Sequence, residues 1–202
     1  MKSKLVKNTF TLTMITLVFG LLLGLSYEVT KEPIAKSQEA AKQVAYRLVM
    51  AEADEFKGYD GFDVEEAEAL LQKTQLDDNS IDEVAVASKG DEELGYVVIV
   101  TNSNGYGGEI TLSVGIDRDG TVKGIQFLAI TETAGLGMNA TKPDFYKQFE
   151  NQQVSAFTVT KQNESGEGKI SAISGATITS DAVTEGVNAA LTYFQNVLKG
   201  GN

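Results

Sequence analysis

The chain of 202 residues contains no cysteine, no histidine and no tryptophan. Without cysteine it can form no disulfide, hold no cysteine-ligated iron–sulfur cluster and use no thiol nucleophile. Without histidine it lacks the commonest general base and the commonest metal ligand. The sequence therefore predicts no catalytic acid or base of its own and no metal site.

Basic residues are scarce as well. Lys and Arg number 17 against 28 Asp and Glu, which gives a net charge of −11. Proteins that bind nucleic acid need a basic surface to neutralise phosphates, so this balance argues against nucleic acid as a partner. The acidic residues are scattered through positions 52–93, as on a solvated surface.

One long apolar run stands near the start of the chain. Residues 8–27 carry no charge, and they follow a short basic segment, residues 1–7, with three lysines. About 20 such residues are enough for a helix to cross a bilayer, and the lysines place the N-terminus inside and the rest outside. A cleaved signal peptide is the alternative, but no Ala-x-Ala site follows Leu25, which favours a retained anchor.

The patterns after the anchor predict an α+β domain. A linking helix is predicted within residues 28–55, beginning with Thr30 as its cap and Pro33 in its first turn. Four β-rich runs, joined in pairs by turn sequences, predict an antiparallel sheet that helices cover. These runs are Ile81–Ser88, Leu94–Thr101, Glu109–Ile116 and Thr121–Thr131.

Shorter elements complete the predicted domain, residues 56–202. Residues 56–63 are predicted to be loop. Helices are predicted at Val64–Leu71 and Lys142–Asn151, and a strand at Ala156–Thr160.

The last predicted helix is Asp181–Lys199. It repeats apolar residues at spacings of three or four and should pack on the sheet. Asp181 and Glu185 lie near its start, where they should favour the positive end of the helix dipole.

A small, hydroxyl-rich stretch, Ser174-Gly175-Ala176-Thr177-Ile178-Thr179-Ser180, separates a β-like run from this last helix. Thr179 and Ser180 are suited to accept hydrogen bonds as N-cap residues, and Gly175 to form a tight turn. The same helix end suits a phosphate, which the hydroxyls could hold or esterify. The residues alone leave both interpretations open.

Two glycine-bearing segments precede that stretch. Asn102–Gly108 lacks the lysine and Ser/Thr of a P-loop and no helix follows it, which favours a flexible turn. Thr131–Gly137, with the sequence Thr-Glu-Thr-Ala-Gly-Leu-Gly, is by itself a turn from a strand to a helix.

Ser174–Thr179 resembles the Ser/Thr-Gly-Ala-Thr-x-Thr motif of the FMN-binding domain family, in which the last threonine carries FMN through a phosphoester bond. By position, the resemblance implies covalent FMN at Thr179, with Thr177 as the less favoured alternative. It also implies that Ser174, Gly175 and Ala176 lie beside the cofactor.

The Glu132–Gly137 loop is similar to the same family's Glu-Thr-Pro-Gly-Leu-Gly loop, which lines the flavin. The matching positions are Glu132, Thr133, Gly135, Leu136 and Gly137. The resemblance implies that Leu136 packs on the flavin ring and that Thr133 or Glu132 reaches its polar edge.

The chain departs from the family in two places. Ala134 stands where proline is usual, and Ser171 stands where the family usually has an aspartate. That aspartate is associated with the flavin transferase that esterifies the threonine, so the second departure bears directly on covalent attachment.

In their order, the basic start, apolar run, helix, Gly-Tyr-Gly-Gly segment, Glu132 loop and Ser174 motif resemble the G subunits of Rnf ion-translocating electron-transport complexes. The resemblance implies an electron-carrying flavoprotein subunit of a ferredoxin:NAD oxidoreductase in a bacterial cytoplasmic membrane. Its partners would be other membrane subunits and a flavin transferase. The alternatives are a free-standing anchored FMN carrier and an anchored sensory or structural domain without redox chemistry.

Overall fold

A computed structural model describes residues 2–161, 164 and 166–199, and the chain divides into two units, residues 1–41 and 42–202. In chain order the helices and strands are α1 (Lys2–Val49), β1 (Glu55–Gly58), α2 (Val64–Lys73), β2 (Asn79–Lys89), β3 (Glu92–Asn102), β4 (Ile110–Asp117), β5 (Val122–Ala129), α3 (Pro143–Tyr146), β6 (Thr158–Thr160), β7 (Lys169–Ser171) and α4 (Thr177–Tyr193). Two 3-10 turns, Gly137–Thr141 and Lys147–Phe149, flank α3, and a π-helical segment, Phe194–Leu198, continues α4.

The predicted apolar helix is present within α1. The segment Val6–Val49 is long enough to cross a membrane, and its most apolar 18 residues have a mean hydropathy of 1.9. Thr11, Thr13 and Thr16 donate their hydroxyls to the carbonyls of Lys7, Thr9 and Leu12 over 2.9–3.1 Å. Such bonds satisfy a hydroxyl inside an apolar helix, which explains how threonines are accommodated in this run.

The predicted start of a second helix at Thr30 is wrong, because α1 runs without a break from Lys2 to Val49. The Thr30 hydroxyl donates to the Ser26 carbonyl at 2.8 Å, whereas a cap would accept a bond from an N–H ahead of it. Pro33 lies inside the helix. A proline removes one intrahelical hydrogen bond. The residues around Pro33, such as Glu32 and Lys36, are good helix formers and therefore favour continuation of the helix.

The second unit contains a five-stranded antiparallel meander in the order β1-β2-β3-β4-β5. The four predicted strands are confirmed as β2 to β5. The prediction of loop at 56–63 is wrong at its start, because residues 55–58 form edge strand β1, with Phe56 opposite Ala87 of β2. This strand has four residues and mostly exposed side chains, so it carries no alternation that a sequence pattern could reveal.

Both faces of the sheet are covered. On one face, Val98, Val100, Leu112 and Val114 pack in a core shared with α2 and α4. On the other face, the end of α1 contributes a second core, formed by Tyr46, Val49, Met50, Ala53, Ala85, Ala87, Val97 and Ile99. Gly115 permits this approach, since a Cβ there would stand 2.5 Å from the Val49 carbonyl oxygen.

Helix α4 lies against the first face and confirms the predicted apolar stripe. Val183, Val187, Leu191, Phe194 and Leu198 are all buried. The helix begins at Thr177, four residues before the predicted start, so most of the hydroxyl-rich stretch belongs to its first turn.

Candidate functional site

A tight turn connects β7 to α4. The Ala176 N–H donates to the Ile173 carbonyl at 3.0 Å, and Gly175 has φ +73°, a conformation that favours glycine. Ser180, which is fully buried, accepts from the Ile173 N–H at 2.9 Å and donates to the Ala176 carbonyl at 3.0 Å. The Ser180 hydroxyl thus ties the end of the strand to the first turn of the helix.

The predicted capping role of Thr179 and Ser180 is wrong. Ala176 occupies the cap position and makes no side-chain cap hydrogen bond, while both hydroxyl residues lie inside the helix. The first N–H groups of a helix have no intrahelical partner, and the positive end of the helix dipole lies there. The amides of Thr177, Ile178 and Thr179 therefore form an end suited to an anion.

A cleft of about 550 Å³ opens at this helix end. Three chain segments that are distant in sequence form its walls: the glycine-rich connection after β3, the loop after β5 and the start of α4. The residues that line it are Tyr106, Glu132, Thr133, Leu136, Gly137, Gly175, Ala176, Thr177, Ile178 and Thr179. The structure thus brings together every residue predicted to contact a cofactor except Ser174 and Gly135.

Those two residues lie outside the cleft. Ser174 lines a neighbouring recess with Lys142, Asp144 and Ser171. Gly135 has φ +78°, and its carbonyl accepts a 2.9 Å hydrogen bond from the Asn139 side chain, so it shapes the loop that carries Leu136.

Glu132 and Thr179 meet at the bottom of the cleft, where they are only 8 % and 1 % exposed. Both approach Gly137, where a Cβ would stand 2.5 Å from Glu132 Oε2 and 2.6 Å from Thr179 Oγ1. Glu132 Oε1 accepts a 3.2 Å hydrogen bond from the Gly107 N–H. A side chain at position 137 would therefore force at least one of these two groups to move.

Tyr106 is a cleft residue that the reasoning from residue patterns missed. The connection Asn102–Gly108, predicted as a flexible turn, is anchored at both ends. The buried Asn102 side chain donates to Asn79 Oδ1 at 2.9 Å and accepts from the Asn104 N–H at 2.8 Å, and the Gly107 carbonyl accepts from the Thr131 hydroxyl at 3.2 Å. The sequence signal that could have identified Tyr106 is an aromatic residue flanked by glycines.

The mouth of the cleft is apolar. Tyr106, Leu136 and Ile178 are 72 %, 45 % and 53 % exposed, and Leu136 Cδ2 lies 3.3 Å from the position of a Cβ on Gly175. Concave sites with apolar walls and a few placed polar groups are typical of organic ligands and cofactors. Within residues 2–161, 164 and 166–199, no cluster of three or more acidic side chains could hold a metal ion.

Two carboxylates lie further along α4. Burial raises the pKa of Asp181. Burial also raises the pKa of Glu185, although a hydrogen bond from Asn102 acts to lower it. Because α4 begins at Thr177, Asp181 and Glu185 lie beyond its first turn, where the dipole effect has fallen off, so the predicted benefit from the helix dipole is wrong. Desolvation is the largest cause of both pKa shifts.

The FMN-binding domain family model matches residues 105–192, a range that includes all three walls of the cleft. The chain is 33 % identical over 183 residues to the G subunit of the proton-translocating ferredoxin:NAD⁺ oxidoreductase complex of Clostridium ljungdahlii. The alignment covers 91 % of this chain and 88 % of that protein. The chain belongs to the G-subunit family of ion-translocating oxidoreductase complexes. The G subunit of the Na⁺-translocating ferredoxin:NAD⁺ oxidoreductase complex of Acetobacterium woodii is 32 % identical over 192 residues, which cover 93 % of this chain and 90 % of that protein.

Membership of the G-subunit family makes the chain part of a multi-subunit membrane oxidoreductase complex with an FMN-binding domain. A solved structure shares its fold. The C subunit of the Na⁺-translocating NADH–quinone reductase from Parabacteroides distasonis superposes with a TM-score of 0.57 at 20 % identity, covering 84 % of this chain and 97 % of that one.

Proposed function

We propose that this chain carries FMN as a phosphoester on Thr179 and relays electrons through it within a ferredoxin:NAD⁺ oxidoreductase complex. The observation that carries the proposal is the position of the Thr179 hydroxyl. It lies at the bottom of the cleft, on the first turn of α4, inside the region that matches the FMN-binding domain family.

The residues of the cleft suit FMN. Its volume of about 550 Å³ is in the range of sites that bind small cofactors. Leu136, Ile178 and Tyr106 offer apolar surface to a flat ring, while the amides at the start of α4 offer hydrogen bonds to a phosphate. When bound, FMN supplies the electron-transfer chemistry, and the protein supplies binding, orientation and the surrounding charge.

Thr179 suits the attachment better than Thr177. The Thr179 hydroxyl faces Gly137 and Glu132 at the bottom of the cleft, whereas Thr177 is exposed at its mouth. A phosphodiester keeps one negative charge, which the positive end of the helix dipole stabilises. A covalent bond also keeps the flavin from being lost outside the cell.

The proposal includes the arrangement in the membrane. Residues 8–27 would cross the bacterial cytoplasmic membrane, with the lysines of residues 1–7 inside and the FMN domain, residues 56–202, outside. Residues 28–55 would lead from the bilayer to that domain. Other membrane subunits would exchange electrons with the flavin, and a flavin transferase would attach it.

Intact-mass spectrometry of the full-length chain tests the attachment. The wild type, Thr179→Ala and Thr177→Ala are each co-expressed with a flavin transferase. We expect the wild type and Thr177→Ala to gain the mass of FMN less water, and Thr179→Ala to gain none.

If Thr179→Ala gained the flavin mass and Thr177→Ala did not, Thr177 would be the attachment residue. An unmodified, colourless wild type would support the interpretation of the motif as a helix start only, and would draw attention to Ser171 in place of the family's aspartate.

A further inference from the structure

Three glycines lie close to Glu132. A Cβ on Gly105 would stand 3.0 Å from Glu132 Oε1, a Cβ on Gly107 would stand 3.1 Å from the Glu132 Cα, and a Cβ on Gly137 would stand 2.5 Å from Glu132 Oε2. No larger residue fits any of these positions without movement. At Gly105 and Gly107 a carbonyl oxygen, of Gly108 and Thr131 respectively, would stand closer still, at 2.2 Å, so Glu132 is the nearest neighbour only at Gly137.

This burial is costly, because a carboxylate removed from water needs a partner for its charge. Among residues 2–161, 164 and 166–199, no Lys or Arg forms an ion pair with Glu132. Its Oε1 accepts one backbone hydrogen bond, from Gly107. Its Oε2 and the Oγ1 of Thr179 both lie within 2.6 Å of the position that a Cβ on Gly137 would take.

We propose that Glu132 accepts the hydroxyl proton of Thr179 when the flavin is attached; this inference rests on the proposed function. FMN has no leaving group on its phosphate, so the donor must carry an activated phosphate, such as the pyrophosphate of flavin adenine dinucleotide. Thr179 Oγ forms a bond to the flavin-side phosphorus as the pyrophosphate P–O bond breaks. AMP leaves with that electron pair, and the proton passes to Glu132 and then to water.

The geometry suits this role. A threonine hydroxyl is a weak nucleophile until a base takes its proton, and such a base must lie within hydrogen-bond reach or one water away. The bond from Gly107 fixes Oε1 and leaves Oε2 available on the side of Thr179. Glu132 and the buried Thr179 line the same cleft of one chain, so the base would be in place before the donor arrives.

The test measures the rate of flavin incorporation into purified full-length chain, by intact mass, with a flavin transferase and flavin adenine dinucleotide. Glu132→Gln keeps the size of the side chain and the oxygen that accepts from Gly107, but it cannot take a proton. We expect incorporation at least about tenfold slower, since general-base catalysis typically contributes about 100-fold or more. Glu109→Gln, which removes a charge outside the cleft, should react at the wild-type rate.

A second variant separates proton acceptance from a purely structural role. Glu132→Ala leaves a space beside Thr179, so added formate, a small carboxylate, should restore part of the lost rate, while chloride at equal ionic strength should not. A Glu132→Gln chain that reacts at the wild-type rate, or a Glu132→Ala chain that formate fails to rescue, overturns the role. After either of these two outcomes, a wild-type chain that is labelled at Thr179 still supports the proposed function. A wild-type chain that takes no flavin overturns both the proposed function and the role of Glu132.

Discussion

Two concave surfaces are each lined by part of the turn Ile173–Ala176, and they are nearly equal in volume, about 550 Å³ for the cleft and about 500 Å³ for the recess beside Ser174. Their chemistry differs. The cleft has an apolar mouth and a buried carboxylate at its bottom, whereas polar and charged groups such as Lys142, Asp144 and Gln148 line the recess. Size therefore does not separate a cofactor site from a surface depression, but the kind of side chain does.

The same short motif contributes to both surfaces. Thr177 and Thr179 belong to the cleft, while Ser174, before the turn, belongs to the recess. The positive φ of Gly175 reverses the chain between them. The resemblance by sequence position implies that the whole motif lies beside the cofactor, but the turn leaves Ser174 outside the cleft that we propose for FMN.

The largest expected effect of a substitution outside the reacting groups is at Gly137. A methyl group in Gly137→Ala would stand against Glu132 Oε2 and Thr179 Oγ1, so at least one of them must move. Overpacking of this kind costs about 1–3 kcal/mol, and a misplaced nucleophile reacts more slowly. We expect flavin incorporation, measured by intact mass over time, to fall about tenfold or more.

Gly58→Ala is the matched control, because a Cβ at this position on β1 has no neighbour within 4 Å. It should take flavin at the wild-type rate. If Gly137→Ala also took flavin at the wild-type rate, the bottom of the cleft would tolerate a larger side chain. The difference in chemistry between the cleft and the recess would then have no physical basis.

The sheet was largely predictable, because alternating apolar residues and glycine turns determine β2 to β5 locally. The errors lie where the local signal is ambiguous. Thr30 and Pro33 resemble a helix start, yet a helix can continue through both. Thr179 and Ser180 resemble cap residues, but the bond from Ser180 to Ala176 places them inside the first turn.

The site was predictable only in part. The resemblance gave Thr179 and the Glu132 loop, which are separated by more than 40 residues, and the fold brings them together. The resemblance could not predict that Ser174 lies outside the cleft, because its position depends on the conformation of one glycine. The position of Tyr106 in the cleft was not predicted either, because the order of a glycine-rich turn depends on tertiary hydrogen bonds such as that between Gly107 and Glu132.

A smaller effect, on stability alone, is expected from the recess. Gln148 Oε1 accepts the Ser171 N–H at 2.7 Å, and its amide donates to the Ser171 carbonyl at 3.4 Å. Gln148→Ala removes both bonds, together with the 3.2 Å bond from the same amide to the Asp144 carbonyl, and should lower the free energy of unfolding by about 1–3 kcal/mol. Chemical denaturation measures this, with the exposed Gln72→Ala on α2 as control. Flavin incorporation by the folded variant should not change.

The smallest effect is expected from Ser174→Ala. Ser174 is exposed and lies on the recess side of the turn, so loss of its hydroxyl removes nothing from the cleft. Exposed substitutions of this kind usually change stability by less than about 0.5 kcal/mol, and the rate of flavin incorporation should stay within about twofold of the wild type. The measurement is the same time course of intact mass used for Gly137→Ala. A large loss of incorporation in a normally stable Ser174→Ala chain would mean that the attachment chemistry reaches across the turn, and the two surfaces would then act as one site.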